Sequence, residues 1–340
     1  MGASIAYHLA LAGARDVVLC DRGEIAGGST SRAMGGVRQQ FSTAAEVELA
    51  RESIAFFEEL GEPYFFQVGY LFLATTAGGL AALEDRVELQ EQLGVAVEWV
   101  DPTFVDGLGV DDVLGAAFGP KDGTADPAAV AKELVRRAAE RGVDVRPNTG
   151  AAQLAPQADT VVIACGPWSA ALGAQLGVEL PVRPLCRQLL LTSPVESSAR
   201  LPLVVECETG FHFRRRGEGL VLAMSDPEPR WGFETAVDDS VFPDRLERLA
   251  RRFPPAAGAT IEDAWAGLYD MTADAHPIIG RVGDGVYAAC GFSGHGFMQS
   301  PAVGRALAEE IVTGTSSFYL SPYRLERFHG ELEFPETLVL

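Results

Sequence analysis

Positive charge is scarce in this chain. Lysine occurs only at Lys121 and Lys132, and the other permanently charged bases are arginines. That excludes chemistry needing several lysines around one reacting centre. Against 27 Lys and Arg stand 47 Asp and Glu, a formal charge of −20. Such a surface repels phosphate backbones and anionic lipid, so neither nucleic acid nor membrane is expected as a partner. No apolar run reaches membrane-spanning length, and no signal peptide is recognisable. Cys20, Cys165, Cys186, Cys207 and Cys290 are odd in number and widely spaced, without metal-type pairs. Three of them sit in apolar strand-like runs, where a thiol is a small core residue. A reducing cytoplasm fits. Repeats and low-complexity tracts are absent, so no segment reads as a disordered tail.

What is present suits a large core. The chain has 340 residues and is 47% apolar, enough for one to three domains. It opens inside a helix, with Ile5, Leu9 and Ala12 on one face and Gly13 at its end. A short buried strand, Val17 to Cys20, stops at Asp21. Thr43 and Glu46 predict a capping box for a helix reaching Leu60, with Gly61 beyond it. Gly69 to Ala74 reads as a strand and Leu80 to Leu93 as a helix. Asp126-Pro127 predicts another helix start, and that helix ends near Gly142. An apolar strand at Thr160 to Ala164 runs into Cys165-Gly166-Pro167-Trp168-Ser169. Between 182 and 265, short apolar runs alternate with turns, which predicts an antiparallel sheet. From Val286 a strand leads to a glycine loop, and Ser300-Pro301 predicts the start of a helix stopped by Gly314.

These patterns predict an α/β fold in which a parallel-sheet nucleotide domain is interrupted by a mostly antiparallel one. The expected division gives 1–62, 120–178 and 266–330 to the first, 63–119 and 179–265 to the second, and 331–340 to a C-terminal tail.

Several segments point to a dinucleotide. Gly2 opens a helix, and Asp21 ends the next strand about 20 residues on. In a dinucleotide fold the last fingerprint glycine allows close helix–strand packing, and the acid accepts hydrogen bonds from the ribose. The loop Gly27-Gly28-Ser29-Thr30-Ser31-Arg32 offers amides and hydroxyls to a pyrophosphate or a ring, although an ordinary flexible loop has the same composition. The Gly291-Phe292-Ser293-Gly294-His295-Gly296-Phe297-Met298 loop sits at a helix start, whose free amides suit an electron-rich edge.

Taken in order, Gly2 with Asp21, Gly28–Ser31, Val161–Ser169, Asp274-Ala275-His276-Pro277-Ile278-Ile279-Gly280 and Gly291–Met298 resemble the FAD-dependent D-amino acid oxidase superfamily. Within it the chain looks most like the sarcosine oxidase and dimethylglycine-type branch. The resemblance implies a discontinuous Rossmann-like FAD domain and a substrate domain. It implies oxidation of the C–N bond of a small amine or amino acid, giving an imine that hydrolyses. By the same resemblance, Gly2, Asp21 and Arg22 lie on the ribose side, and Gly28, Ser29, Thr30, Ser31, Arg32 and Gly36 line the pyrophosphate and ring. Ala164, Gly166 and Trp168 fall near the adenosine. Gly294, His295, Gly296, Phe297 and Met298 fall at the pyrimidine edge of the flavin.

Arg38 matches an arginine that pairs a substrate carboxylate, and its alternative is a surface or flavin-neighbouring arginine. Tyr269 aligns with a tyrosine bordering the flavin, or is a core tyrosine. His212, with Phe211, is placed on the substrate side.

The chain departs from the family's pattern in places. The first strand and first two glycines of the fingerprint are not in it, so a reading frame starting upstream of Met1 is expected. Gly267 stands where a tethering cysteine is found, which predicts non-covalent FAD. Met298 takes the place of a flavin-facing lysine, leaving dehydrogenase and oxidase behaviour equally open. The stretch from Val145 to Thr160 is short, so the usual β-meander is expected to be trimmed. Two other readings compete. One is a truncated or degenerate flavoprotein, inactive alone or acting as a subunit of a larger oxidoreductase. The other is an NAD(P)-linked dehydrogenase.

Overall fold

The computed structural model describes residues 1–330, 332, 335 and 336, so most of the tail at 331–340 lies outside the described residues. In chain order the helices are α1 (Gly2–Leu11), α2 (Ala44–Leu60), α3 (Ala77–Gln92), α4 (Pro127–Ala139), α5 (Ser169–Gln175), α6 (Phe242–Arg252) and α7 (Gly296–Thr313). Local sequence explains several ends. Asp126 caps α4 by accepting from the amides of Ala128 and Ala129 at 2.9 and 3.0 Å, with Pro127 at the first helical position. Gly61 closes α2, and Gly314, in the left-handed region, closes α7.

α2 begins after Thr43 as predicted, but its capping box does not form, and one predicted helix start fails. Thr43 precedes α2 but makes no side-chain cap. Glu46 is not a capping partner either: its buried carboxylate meets His276 Nδ1 at 2.7 Å and accepts from Gln299 Nε2. A tertiary partner has outcompeted the helix's own amides. The last helix begins at Gly296 rather than at Ser300-Pro301, with Pro301 inside it. The Gly291–Gly294 turn starts the helix early. Ser300 serves another purpose, its carbonyl accepting from Ser4 Oγ of α1 at 2.6 Å.

Among the described residues the strands form four sheets. Val18–Cys20 pairs in parallel with Asp144–Arg146. Val161–Ile163 pairs in parallel with Val286–Cys290, whose other neighbour, Ile278–Gly283, is antiparallel. A small antiparallel sheet joins Gly36–Val37, Gly123–Ala125 and Phe65–Phe66. The largest sheet has eight strands in the order Ile261–Met271, Arg183–Thr192, Gly219–Ala223, His212–Arg216, Leu203–Glu206, Tyr70–Ala74, Gly115–Gly119 and Glu98–Val100. Only one of its pairings, Leu203–Glu206 with Tyr70–Ala74, is parallel. The antiparallel sheet expected at 182–265 therefore exists, but it recruits strands from before residue 120 and runs on to Met271. Between Arg146 and Val161 the described residues form two short 3-10 turns and no strand, consistent with a trimmed meander.

α1 bridges the two parallel pairings. A Cβ on Gly2 would meet Leu19 at 3.6 Å and Ala164 at 3.7 Å, so this end of α1 packs against both. Separate apolar clusters lie under α1, α2 and α4 and under the eight-stranded sheet. No helix among the described residues is long and apolar enough to cross a membrane.

Candidate active site

The glycine segments converge. Asp21 follows its strand and accepts from the Gly23 amide at 2.9 Å. Beside it, the Arg22 guanidinium lies 4.4 Å from the centroid of the Trp168 ring. Trp168 follows the Gly166 turn and also borders Gly28, where a Cβ would lie 3.8 Å from the indole. Ser29–Arg32 is one 3-10 turn that rests on the Ile261–Met271 strand. Arg32 donates to the Ala266 carbonyl at 2.9 Å, and Trp265 Nε1 donates back to the Arg32 carbonyl at 3.1 Å. Ser31 Oγ bonds the Gly28 carbonyl at 3.1 Å, closing the turn, and Thr30 is half-buried within it.

The same strand carries Gly267 and Tyr269. Gly294 lies against the Tyr269 ring: a Cβ there would come within 2.4 Å of Cε2, and φ is +97°. Only glycine meets both demands. Asp270 pins this loop from below. Its Oδ2 accepts from the Gly291 amide at 2.7 Å, and burial pushes its carboxyl up to about 6.

The Ser29–Met34 loop and the Gly267–Tyr269 stretch meet in one cleft. Its lining includes Ser29, Arg32 and Met34 on the loop side and Arg187, His212 and Tyr269 on the sheet side. Strand register explains the sheet side. Arg187 pairs with Gly267 and Leu185 with Tyr269, and residues directly opposite in an antiparallel pair share a face. His212 pairs with Ala223, which also lines the cleft. His212 Nδ1 meets the Gly210 carbonyl at 2.8 Å. Burial, with Arg38 nearby, drives its pKa down to about 4, so the imidazole is neutral at pH 7.

Arg38 lies deeper. It is 1% exposed and does not line the cleft. It donates to the Gln40 carbonyl, meets His295 Nε2 at 3.3 Å, and stacks 4.1 Å from the Phe41 ring centroid. His295 packs edge-on to Phe41 at 5.0 Å. Phe297 packs against Phe57 at 5.4 Å and Met298 joins the core with Val37 and Phe41. Gly36 sits over Tyr70, where a Cβ would fall 1.6 Å from the hydroxyl oxygen.

Three groups were not singled out from the sequence. Asp122 is fully buried and accepts from the Gln39 amide and Gln40 Nε2 at 2.9 and 3.0 Å. Burial raises its carboxyl to about 6. Its local context, Gly-Pro-Lys-Asp-Gly, reads as a solvent turn and gives no signal. Tyr70 is hidden in an apolar strand. Arg187 did carry a signal, as a lone cation inside the apolar run Cys186–Leu191.

The residues present fit a dinucleotide carrying a ring. Glycine turns leave room for close approach, a tryptophan and an arginine border the Gly28 turn, and Ser29 Oγ beside it is buried without a hydrogen-bond partner among the described residues. Among the described residues no cluster of His, Cys, Asp or Glu could hold a metal ion. This is the architecture of a dinucleotide-dependent oxidoreductase. The family model described as FAD dependent oxidoreductase (DAO) matches residues 1–310, and the chain belongs to that family.

Human mitochondrial sarcosine dehydrogenase is 26% identical over 373 residues, covering 98% of this chain and 41% of its own. FAD-dependent oxidoreductase domain-containing protein 1 of Bos taurus is 29% identical over 416 residues, covering 100% of this chain and 85% of its own. Among solved structures, L-proline dehydrogenase from P. horikoshii superposes with a TM-score of 0.89 at 26% identity, covering 97% and 96% of the two chains. The chain spans about two fifths of the length of the first curated relatives it matches.

Proposed function

We propose that this protein oxidises the C–N bond of a small amine or amino acid, with FAD held non-covalently in the cleft. The observation that carries the reading is the cleft between the Ser29–Met34 loop and a sheet wall of Arg187, His212, Gly267 and Tyr269, with Gly294 packed against the Tyr269 ring. Residues 1–62, 120–178 and 266–330 would form the cofactor domain, and 63–119 with 179–265 the substrate domain. Asp21, Arg22 and Trp168 would take the adenosine end, and Gly28 to Arg32 the pyrophosphate and ring. The amides of Gly294 to Met298 would take the ring's polar edge.

When bound, FAD supplies the two-electron acceptor that no protein side chain provides. The chain's own residues position and shield. Tyr269 and the sheet wall confine the amine, and the neutral His212 can accept a hydrogen bond without adding positive charge. Arg38, committed to Gln40, His295 and Phe41, would hold the Gln39–Phe41 segment in place behind the loop. Gly267 carries no thiol for a covalent tether. The substrates named for relatives, sarcosine and L-proline, set the test panel together with N,N-dimethylglycine and D-amino acids.

The test is a visible spectrum of the protein after FAD reconstitution, followed by anaerobic addition of each panel amine. A bound flavin band that bleaches with at least one amine is expected. Protein that retains no flavin, or a flavin indifferent to every amine, would overturn the reading.

A further inference from the structure

The segment from Asp226 to Asp238 runs from the sheet to the nucleotide side of the molecule. Both of its ends are pinned to the sheet. The Cys186 amide donates to the Arg230 carbonyl and the Gly232 amide to the Pro184 carbonyl, each at 2.9 Å, and Trp231 bridges to Leu185. At the far end the Asp238 amide donates to Gln188 Oε1 at 2.9 Å. Arg230 bonds Asp226 at 2.8 Å and also donates to the Ala236 carbonyl. The tip between these ends, Phe233 to Val237, therefore has a set shape.

Two side chains of the tip reach residues that border the Gly28 turn. The Phe233 ring stacks on Trp168, with centroids 6.0 Å and planes 20° apart. Thr235 Oγ1 accepts from Arg32 Nη1 at 3.3 Å. Trp168 borders Gly28, and Arg32 ends the 3-10 turn that Gly28 precedes. Neither needs the tip to stay in place. Arg32 already donates to the Ala266 carbonyl, and Trp168 already packs against Cys186, Ala266 and Leu268 and carries the Arg22 guanidinium. Phe233 itself is 53% exposed, so it adds little to a core. A lone exposed ring is ordinary at a protein surface. Here the ring and the hydroxyl of one short tip meet both sides of the same turn, and so join the sheet to the loop.

We propose that Phe233 and Thr235 form a clasp that retains the cofactor, which leaves only after Phe233 has lifted from Trp168 and Thr235 from Arg32. This rests on the proposed FAD reading, and it adds the sheet domain to the parts that hold the nucleotide. A cofactor without a covalent tether is kept by its rate of departure, and that rate is where contacts of this kind act.

The test follows flavin fluorescence after dilution of the FAD-loaded protein, in wild type, F233A, F233Y, T235V and F104A. Phe104 is the control, a 52% exposed ring packed on Phe118 and not lining the cleft. F233A is expected to release FAD on the order of 10-fold faster, the size of a lost aromatic pair. T235V should release it about 3-fold faster, as loss of one hydrogen bond does. F233Y and F104A should stay within about 2-fold of wild type. The urea midpoint of the cofactor-free protein should be the same for F233A and wild type, which a merely structural ring would not allow.

Release from F233A at the wild-type rate would overturn the clasp. So would equal acceleration in F104A, or a lowered midpoint of cofactor-free F233A that accounts for the change. Anaerobic addition of the amine panel to the same samples keeps the two readings apart. Unchanged release from F233A, with a flavin that bleaches, removes the clasp and leaves C–N oxidation standing. Faster release from F233A, with no amine bleaching the wild type, removes C–N oxidation and leaves the clasp. Wild type that retains no FAD overturns both.

Discussion

The loop wall of the cleft, Ser29–Met34, is flanked by glycine turns, whereas the sheet wall opposite, with Arg187, His212 and Tyr269, stands on paired strands. Each is supported differently. Behind the loop wall lie three buried carboxylates: Asp122 under Gln39 and Gln40, Asp270 under Gly291, and Glu46 bonded to Gln299 of α7. The sheet wall presents Arg187, and the buried Asp226 behind it accepts from Gln188 at 3.1 Å. A wall of amides needs acceptors behind it to fix its shape. A wall of side chains is fixed by strand register, leaving its polar groups free to address a ligand.

The largest effect should come from removing a support of the loop wall. Glu46→Ala strands His276 and Gln299 in the core, and a loss of about 3–5 kcal/mol in urea-unfolding free energy is expected. A loss below 1 kcal/mol would mean that the carboxylate supports little.

Asp122 sharpens the comparison through pH. Its carboxyl is raised from 3.8 to about 6, so the folded protein holds a proton that the unfolded chain has released. The stability contributed by this group is therefore present below about pH 4 and is lost as pH rises through about 6, by up to about 3 kcal/mol. Asp270, also raised to about 6, acts in the same direction. Urea midpoints taken from pH 4 to 7 should fall less steeply for Asp122→Asn than for wild type. Parallel profiles would show that Asp122 does not titrate in this window.

Crowding between the walls comes next. Gly36→Ala drives a methyl into the buried Tyr70 hydroxyl, and overpacking of this kind costs about 1–3 kcal/mol. Tyr70→Phe in the same chain should relieve part of it, which thermal melts of the four-member cycle would measure. The smallest effect lies away from the cleft. Asp126→Ala should cost about 1 kcal/mol through the lost α4 cap, while Thr43→Ala, which removes no cap bond, should cost under about 0.5. Equal costs would restore the capping role that Thr43 lacks.

Legibility followed the range of the interaction. The Asp126 cap, the Gly61 and Gly314 stops and the strand at 70–74 depend on neighbours in sequence and could be read there. Glu46 carried a sound local pattern and still went elsewhere, because His276 lies 230 positions away. Asp122, in a turn-like context, is buried only because Gln39 and Gln40 return to it.

By itself the sequence determined the family, the order of helices and strands, and the glycine turns a dinucleotide needs, because those rest on local backbone demands repeated in a fixed order. The tertiary structure alone decided which polar groups meet the cleft. It moved Arg38 into the interior and brought Arg187 to the sheet wall. The reason is physical: strand register and burial set the partners of a side chain, and neither can be computed from its neighbours along the chain.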